Sequence, residues 1–252
     1  HALDPHPNHT HSKLMLARTL AVQSFADYSD RDYGRPERPM DDTGLMPPKL
    51  AQIMINLSRV QSGQTILDPF CGAGTILQEA LLKGCQVIGS DLNPQAIDET
   101  ENNIKWLIEK YNLSIESCKI IEGDARNIAK EVASEKISSI VTEPYLGPIK
   151  SQISDKSIKE LESLYLKTFQ EFTKILTKGN RVVMIWPVFK SGSNKRFLKI
   201  HNNVANLGFK SLNLVPKHTD TKKARDITDR GTFLYSRAGQ KVLREIWVWE
   251  KT

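Results

Sequence analysis

Four short apolar runs in this chain each end in residues of types that do chemistry. Thr65-Ile66-Leu67 leads into Asp68, and Pro69-Phe70-Cys71-Gly72-Ala73-Gly74 then turns into a helical pattern that opens at Thr75. Gln86–Ser90 leads into Asp91 and Leu92, Lys119–Gly123 into Asp124 and Ala125, and Ile137–Val141 into Thr142-Glu143-Pro144-Tyr145. Gly72 and Gly74 allow a tight turn and let a ligand approach the backbone with no Cβ in the way. A helix opening at Thr75 aims unpaired N–H groups and its positive end at whatever anionic group lies there. The loop is not G-x-G-x-x-G and no lysine follows its glycines, so neither a dinucleotide fingerprint nor a phosphate-binding P-loop is matched. Three acids take their place, and these suit a ligand with a cationic centre, an amine and a ribose.

S-adenosylmethionine is such a ligand. Its carboxylate can meet the helix start near Thr75 and its ammonium can meet Asp68 or nearby carbonyls. Asp91 can accept from both ribose hydroxyls, by the logic of the acidic ribose contact in dinucleotide folds. Asp124 can accept from the adenine amino group, with the Ala125 N–H donating. Taken singly, each acid also reads as a helix cap or a surface turn. Cys71 reads as a small packing residue, because no base lies beside it in sequence.

The elements that must position these groups alternate. A helix is expected over Leu14–Phe25. Tyr28–Met40, with arginines between two tyrosines, is expected to lack regular structure because of its Gly and Pro, and either grips phosphates or straps across the domain. Pro48 suits the first turn of a helix to about Ser58, and Asn93-Pro94 opens another to about Lys110. Further helices are expected over 158–176 and 194–207, with strands over 65–68, 86–91, 119–125, 137–141, 181–186, 209–216, 232–236 and 243–250. This alternation predicts a doubly wound, mostly parallel α/β sheet. The last two extended segments have no helix between them and predict an antiparallel pair at the sheet edge.

The totals narrow the class. The chain has 252 residues, 39% hydrophobic and 25% charged, which allows a full core. No apolar run approaches the ~18–20 residues of a membrane span. Cys71, Cys85 and Cys118 form no CxxC pair, so a reduced, cytoplasmic setting without disulfides or a cysteine zinc site is expected. His1, His6, His9 and His11 lack i, i+4 spacing and acidic neighbours, so no metal is expected. The first residue is His1, which suggests a chain processed, tagged or cut from a longer one. A net charge of +6 is weak support for a polyanionic partner.

Asp68–Thr75, the Asp91 strand end and Thr142–Tyr145 together resemble the class I S-adenosylmethionine-dependent methyltransferases that modify exocyclic amines. With Arg31–Pro36, Met46–Gln52 and Tyr235–Ile246, the chain is similar to the tRNA guanosine N2-methyltransferases whose catalytic domain follows an RNA-binding THUMP domain. The resemblance implies a seven-stranded Rossmann-like sheet with an antiparallel C-terminal pair over 46–252. Residues 1–45 then form a helix and basic connector from the RNA-binding domain. It also implies a cofactor site of Asp68, Pro69, Phe70, Cys71, Gly72, Gly74, Thr75, Asp91, Leu92, Asp124, Ala125 and Glu143. The catalytic segment is Thr142, Glu143, Pro144 and Tyr145. In the family an Asp/Asn/Ser-x-Pro-Tyr/Phe motif accepts from the amine and stacks on a flipped base.

Thr142 here is an uncharged first residue and Glu143 sits one place late, so which of them accepts stays open. Arg31, Arg35, Arg38, Lys222, Lys223, Arg225, Arg230 and Arg237 are the expected RNA contacts, against the alternative of a merely solvated charged loop. The expected partner is tRNA, with no membrane, and the sequence carries no sign for or against a small activating protein. The rival readings are a DNA amino-methyltransferase, a non-catalytic binding module made possible by the Thr-Glu departure, and a dehydrogenase, which the loop and the acids argue against.

Overall fold

The strand β1 (Thr65–Asp68) lies where the sheet changes its direction of growth. In the computed structural model, which describes residues 18–20, 22, 25–38, 45–114, 118–148, 153–192, 194–214, 226–237 and 240–252, β1 pairs in parallel with β2 (Gln86–Asp91) on one side and β4 (Ser139–Thr142) on the other. Beyond β2 lies β3 (Cys118–Glu122), and beyond β4 lies β5 (Arg181–Ser191), both parallel. Then β9 (Val242–Lys251) runs antiparallel to β5, and β7 (Phe209–Ser211) antiparallel to β9. The path β3-β2-β1-β4-β5-β9-β7 is the expected seven-stranded, mostly parallel sheet. The expected C-terminal pair forms too: β8 (Phe233–Tyr235) lies beside the first half of β9, with Phe233 opposite Ile246.

The helices α1 (Phe25–Tyr33), α2 (Pro48–Ser58), α3 (Thr75–Leu82) and α4 (Pro94–Tyr111) pack on one another in sequence. The helices α5 (Ile128–Glu131), α6 (Asp155–Ile175) and α7 (His201–Asn206) form a second group. A parallel sheet covered in this way needs strands apolar on both faces. β4 is buried at every position, and Val182 to Trp186 of β5 are fully buried. Caps fall where polar residues precede a helix: Asn93 accepts from the Gln95 N–H at 3.1 Å and Ser154 from the Ser157 N–H at 3.0 Å.

Two expectations fail. Residues 28–33 are helical, within α1, because every glycine and proline of that stretch lies at or after position 34. Arg31 also buries its guanidinium against α3, adding tertiary support to a short helix. The helix expected from Asn194 is instead a strand, β6 (Asn194–Phe197), folded back on β5 beyond the end of β4. Gly192, at φ +59°, opens the hairpin turn that reverses the chain. α7 begins only at His201. Of the helix expected over 14–25, most lies outside the described residues, and 18–20 and 22 are not helical.

The core is densest where β5, β9 and α6 meet. Trp249 is 1% exposed, with its ring 5.0 Å from Trp247, 5.9 Å from Trp186 and 6.0 Å from Phe169 between centroids. Trp249→Ala removes one wall of this cluster and is expected to cost about 3–5 kcal/mol, read as a lower urea midpoint with an unchanged slope.

Candidate active site

A cavity of about 940 Å³ opens over the carboxyl ends of β1 to β4, where open α/β sheets bind ligands. All four polar strand ends reach it: Asp68 to Ala73 with Thr75, Asp91 with Leu92, Asp124 with Ala125, and Glu143 to Pro148. Its acids are Asp68, Asp91, Glu99, Asp124 and Glu143, against one base, Arg126, which is paired to Asp124. That balance repels a phosphate chain and suits a cationic, hydroxyl-rich ligand.

The glycine loop is held mostly by α4. Gly72 at φ +52° and Gly74 at φ +78° occupy conformations that favour glycine, and a Cβ on Gly74 would lie 3.0 Å from Thr100 Cγ2. The Thr100 hydroxyl donates to the Gly72 carbonyl at 2.5 Å, and Asn103 Nδ2 donates to the Ala73 carbonyl at 2.9 Å. The Cys71 N–H donates to the Ser90 carbonyl at 2.9 Å, which ties the loop to β2. Thr100 and Asn103 escaped the sequence reading. Their signal is two polar residues at i, i+3 on the buried face of α4 that also carries Ile104 and Leu107.

Each acid has a distinct setting. Asp91 accepts from the Gly72 N–H and the Asn93 N–H, both at 3.0 Å, so its carboxylate is fixed at the cavity wall. Asp124 caps the turn after β3 and is gripped by Arg126, whose hydrogen bonds hold its carboxyl below the usual carboxylate range. Asp68 is 1% exposed, and burial pushes its pKa up to about 7, against the opposing hydrogen bonds from the Thr142 hydroxyl and the Phe70 N–H. Cys71 is buried and its thiol is pushed well up by desolvation, as befits a packing residue and not a nucleophile.

The Thr-Glu-Pro-Tyr segment divides. Thr142 is fully buried, does not line the cavity, and donates its hydroxyl to Asp68 Oδ1 at 2.6 Å. Glu143 does line the cavity. Its carboxylate is held by Arg244 of β9 through Nε and, at 3.3 Å, through Nη2. Arg244 is 2% exposed and was missed by the sequence reading, since 101 residues separate it from its partner. Pro144 is buried, whereas the Tyr145 ring is 58% exposed at the cavity mouth and its carbonyl accepts from the buried Tyr165 hydroxyl at 2.9 Å.

The expected RNA arginines do not form one surface. Arg31 is buried against Glu79 at 2.6 Å. Arg35 is buried on Thr75. Arg230 is half-buried between Glu245, at 2.9 Å, and the Phe197 ring. All three guanidiniums are turned into the fold, a placement that composition does not distinguish from surface charge. Arg38 remains accessible over the Tyr33 ring and Arg237 is exposed beside Tyr235. Lys222, Lys223 and Arg225 lie outside the described residues, as do the four N-terminal histidines. Among the described residues there is no cluster fit for a metal ion and no helix long and apolar enough to cross a membrane.

This sheet order, with a glycine loop after β1 and a carboxylate after β2, defines an α/β methyltransferase architecture. TrmN from Thermus thermophilus shares the fold, with a TM-score of 0.55 and 20% identity over 82% of this chain and 49% of that one. Residues 35–203 match the family described as UPF0020, RMKL-like, methyltransferase domain, and the chain belongs to that family of S-adenosylmethionine-dependent domains.

Two relatives carry the name tRNA (guanine(10)-N2)-dimethyltransferase. One, from Methanothermobacter thermautotrophicus, is 36% identical over 69% of this chain and 48% of its own length. The other, from Methanocaldococcus jannaschii, is 35% identical over 64% of this chain and 45% of its own length. The chain thus spans about half the length of the relatives it matches.

The residues present fit that cofactor: Asp91 is a fixed carboxylate able to accept from hydroxyls, Gly72 leaves open space beside the loop backbone, and the acids of the lining outnumber its one base, as a cationic ligand requires. With a folded pKa near 7 against 3.8 unfolded, Asp68 costs nothing below about pH 4, and its ionisation destabilises the ligand-free fold increasingly as pH rises to 7. A bound cation reverses this preference. Affinity for S-adenosylmethionine is therefore expected to rise as pH increases toward about 7, with release of up to one proton, and to level off above it. Calorimetry in two buffers of different ionisation enthalpy measures that release, and Asp68→Asn should abolish it.

Proposed function

We propose that this chain methylates the exocyclic N2 amine of a guanosine in tRNA. The observation that carries the reading is Glu143, a carboxylate held at the cavity wall by Arg244 next to an exposed tyrosine ring. An exocyclic amine is a weak nucleophile because its lone pair is delocalised into the ring. An anionic acceptor on its N–H groups localises that lone pair and takes up the positive charge that grows on nitrogen during transfer. The bound cofactor supplies the methyl group as an electrophile on sulfur. Glu143 accepts from the amine, Tyr145 stacks on the flipped base, and the buried Pro144 fixes the turn between them. Thr142 acts at one remove, by anchoring Asp68. The relatives' names support guanosine in tRNA over a base in DNA, and the well-formed carboxylate supports an enzyme over a non-catalytic module. Three free cysteines are consistent with a reducing, cytoplasmic setting.

Incubation with bulk tRNA and labelled cofactor, followed by nucleoside mass spectrometry, tests the reading; N2-methylated guanosine is the expected product, and label in DNA adenine or cytosine would sink it. Glu143→Gln is expected to lower kcat about 100-fold or more while cofactor affinity moves by no more than about 3-fold. Equal losses of both would remove Glu143 from the acceptor role. Arg38 and Arg237 are the phosphate contacts in this reading. Replacing either by Ala should weaken tRNA binding uniformly across sequences and make the log–log salt slope shallower by about 0.7–0.9.

A further inference from the structure

Arg35 is 3% exposed, and its guanidinium has no carboxylate of its own. Nη1 donates to the Thr75 hydroxyl at 2.6 Å, while Nε and Nη2 are buried without a hydrogen-bond partner. The nearest acids are engaged elsewhere. Glu79 accepts from Arg31 Nε at 2.6 Å and from Gln52 Nε2 at 2.6 Å, and Asp32 lies 3.9 Å from Arg38. Desolvation accordingly outweighs these acids and lowers the Arg35 pKa. Burying an uncompensated charge is costly, and a negative charge brought close to it would offset that cost.

Its position says which partner. Thr75 is the first residue of α3 and lines the cavity, and the N-cap of that helix is Gly74, which has no side chain to satisfy the first amides. A guanidinium and an uncapped helix start therefore bring positive charge to one point from two independent sources. The segment bearing Arg35 is also fixed. Asn103 Oδ1 accepts from the Glu37 N–H at 2.9 Å and Asn103 Nδ2 donates to the Glu37 carbonyl at 3.0 Å, while the same Nδ2 holds the Ala73 carbonyl of the glycine loop. Loop and guanidinium thus share one anchor.

We infer that Arg35, which does not itself line the cavity, acts through Thr75 to set positive charge behind the place of the carboxylate at the methionine end of S-adenosylmethionine, as a positioning residue and not an RNA contact. The inference rests on reading the cavity as the cofactor site. Asp68 and Arg35 then set opposite charges at the two ionic groups of that end, the ammonium and the carboxylate, which orients the ligand as well as holding it.

The test measures equilibrium binding by calorimetry to wild type, Arg35→Lys and Arg35→Met. The ligands are S-adenosylmethionine and its decarboxylated form, which lacks only the carboxylate. Arg35→Met is expected to weaken S-adenosylmethionine about 10–100-fold and the decarboxylated ligand less than about 2-fold, with Arg35→Lys between wild type and Met. Ligand-free Arg35→Met should melt no lower than wild type, because an unpaired buried charge has been removed. Equal weakening of both ligands, unchanged binding of S-adenosylmethionine, or a ligand-free variant that unfolds or melts several degrees lower would each overturn the role and mark Arg35 as structural. A wild type that binds neither ligand would overturn the cofactor reading itself. A wild type that binds both, with discrimination preserved in Arg35→Met, would overturn the Arg35 assignment alone.

Discussion

One buried carboxylate ties together the two halves of this site. Asp68 ends β1, and its Oδ1 accepts from the Phe70 N–H of the glycine loop and from the Thr142 hydroxyl at the end of β4. A single oxygen atom thus fixes the spacing between the glycine loop and the end of β4, the two sides on which the proposed cofactor and base would meet. In-line methyl transfer depends on that spacing to within fractions of an ångström. The low-dielectric setting that strengthens these bonds also makes the charge expensive, which is why the pKa is driven so far up. Structural fixing and sensitivity to a bound cation are therefore one property of this residue.

An ion pair fixes Glu143 at the cavity wall as hydrogen bonds fix Asp68. Glu143 has one more methylene than an aspartate at the same place and so more rotamers to lose. The Arg244 fork removes that freedom by gripping both carboxylate oxygens from β9, on the far side of β5. Register explains how it gets there. β9 pairs with β5 from Arg181 opposite Glu250 to Phe189 opposite Val242, and Arg244 pairs with Pro187, beyond the position where β4 ends.

The parallel sheet was legible because every strand in it is a short apolar run that stops at a polar residue, and the cofactor loop was legible because Gly72 and Gly74 hold conformations few other residues accept. α1 was misread for lack of any local signal stronger than the glycine and prolines that follow it. What stabilises it is Arg31 reaching Glu79, 48 positions away. β6 was misread because Asn194–Leu207 is polar enough for an exposed helix or an exposed hairpin, and the choice is made by the turn at Gly192. The arginines show the limit most plainly. Arg35 and Arg38 stand three residues apart in the same basic stretch, yet one is sealed against α3 and the other lies over an exposed tyrosine. Only the fold separates them.

The pairing of Glu143 with Arg244 also sets an order of assembly during synthesis. The glycine loop, Asp91 and the segment that carries Arg35 all precede β3 in the chain, whereas the cation that fixes Glu143 arrives on the last strand of the sheet. A nascent chain therefore carries the glycine loop and Asp91 well before the strand that holds Glu143. Premature termination between β5 and β9 would leave a protein with Glu143 unheld and β5 without its long partner, an open edge prone to pairing with other chains.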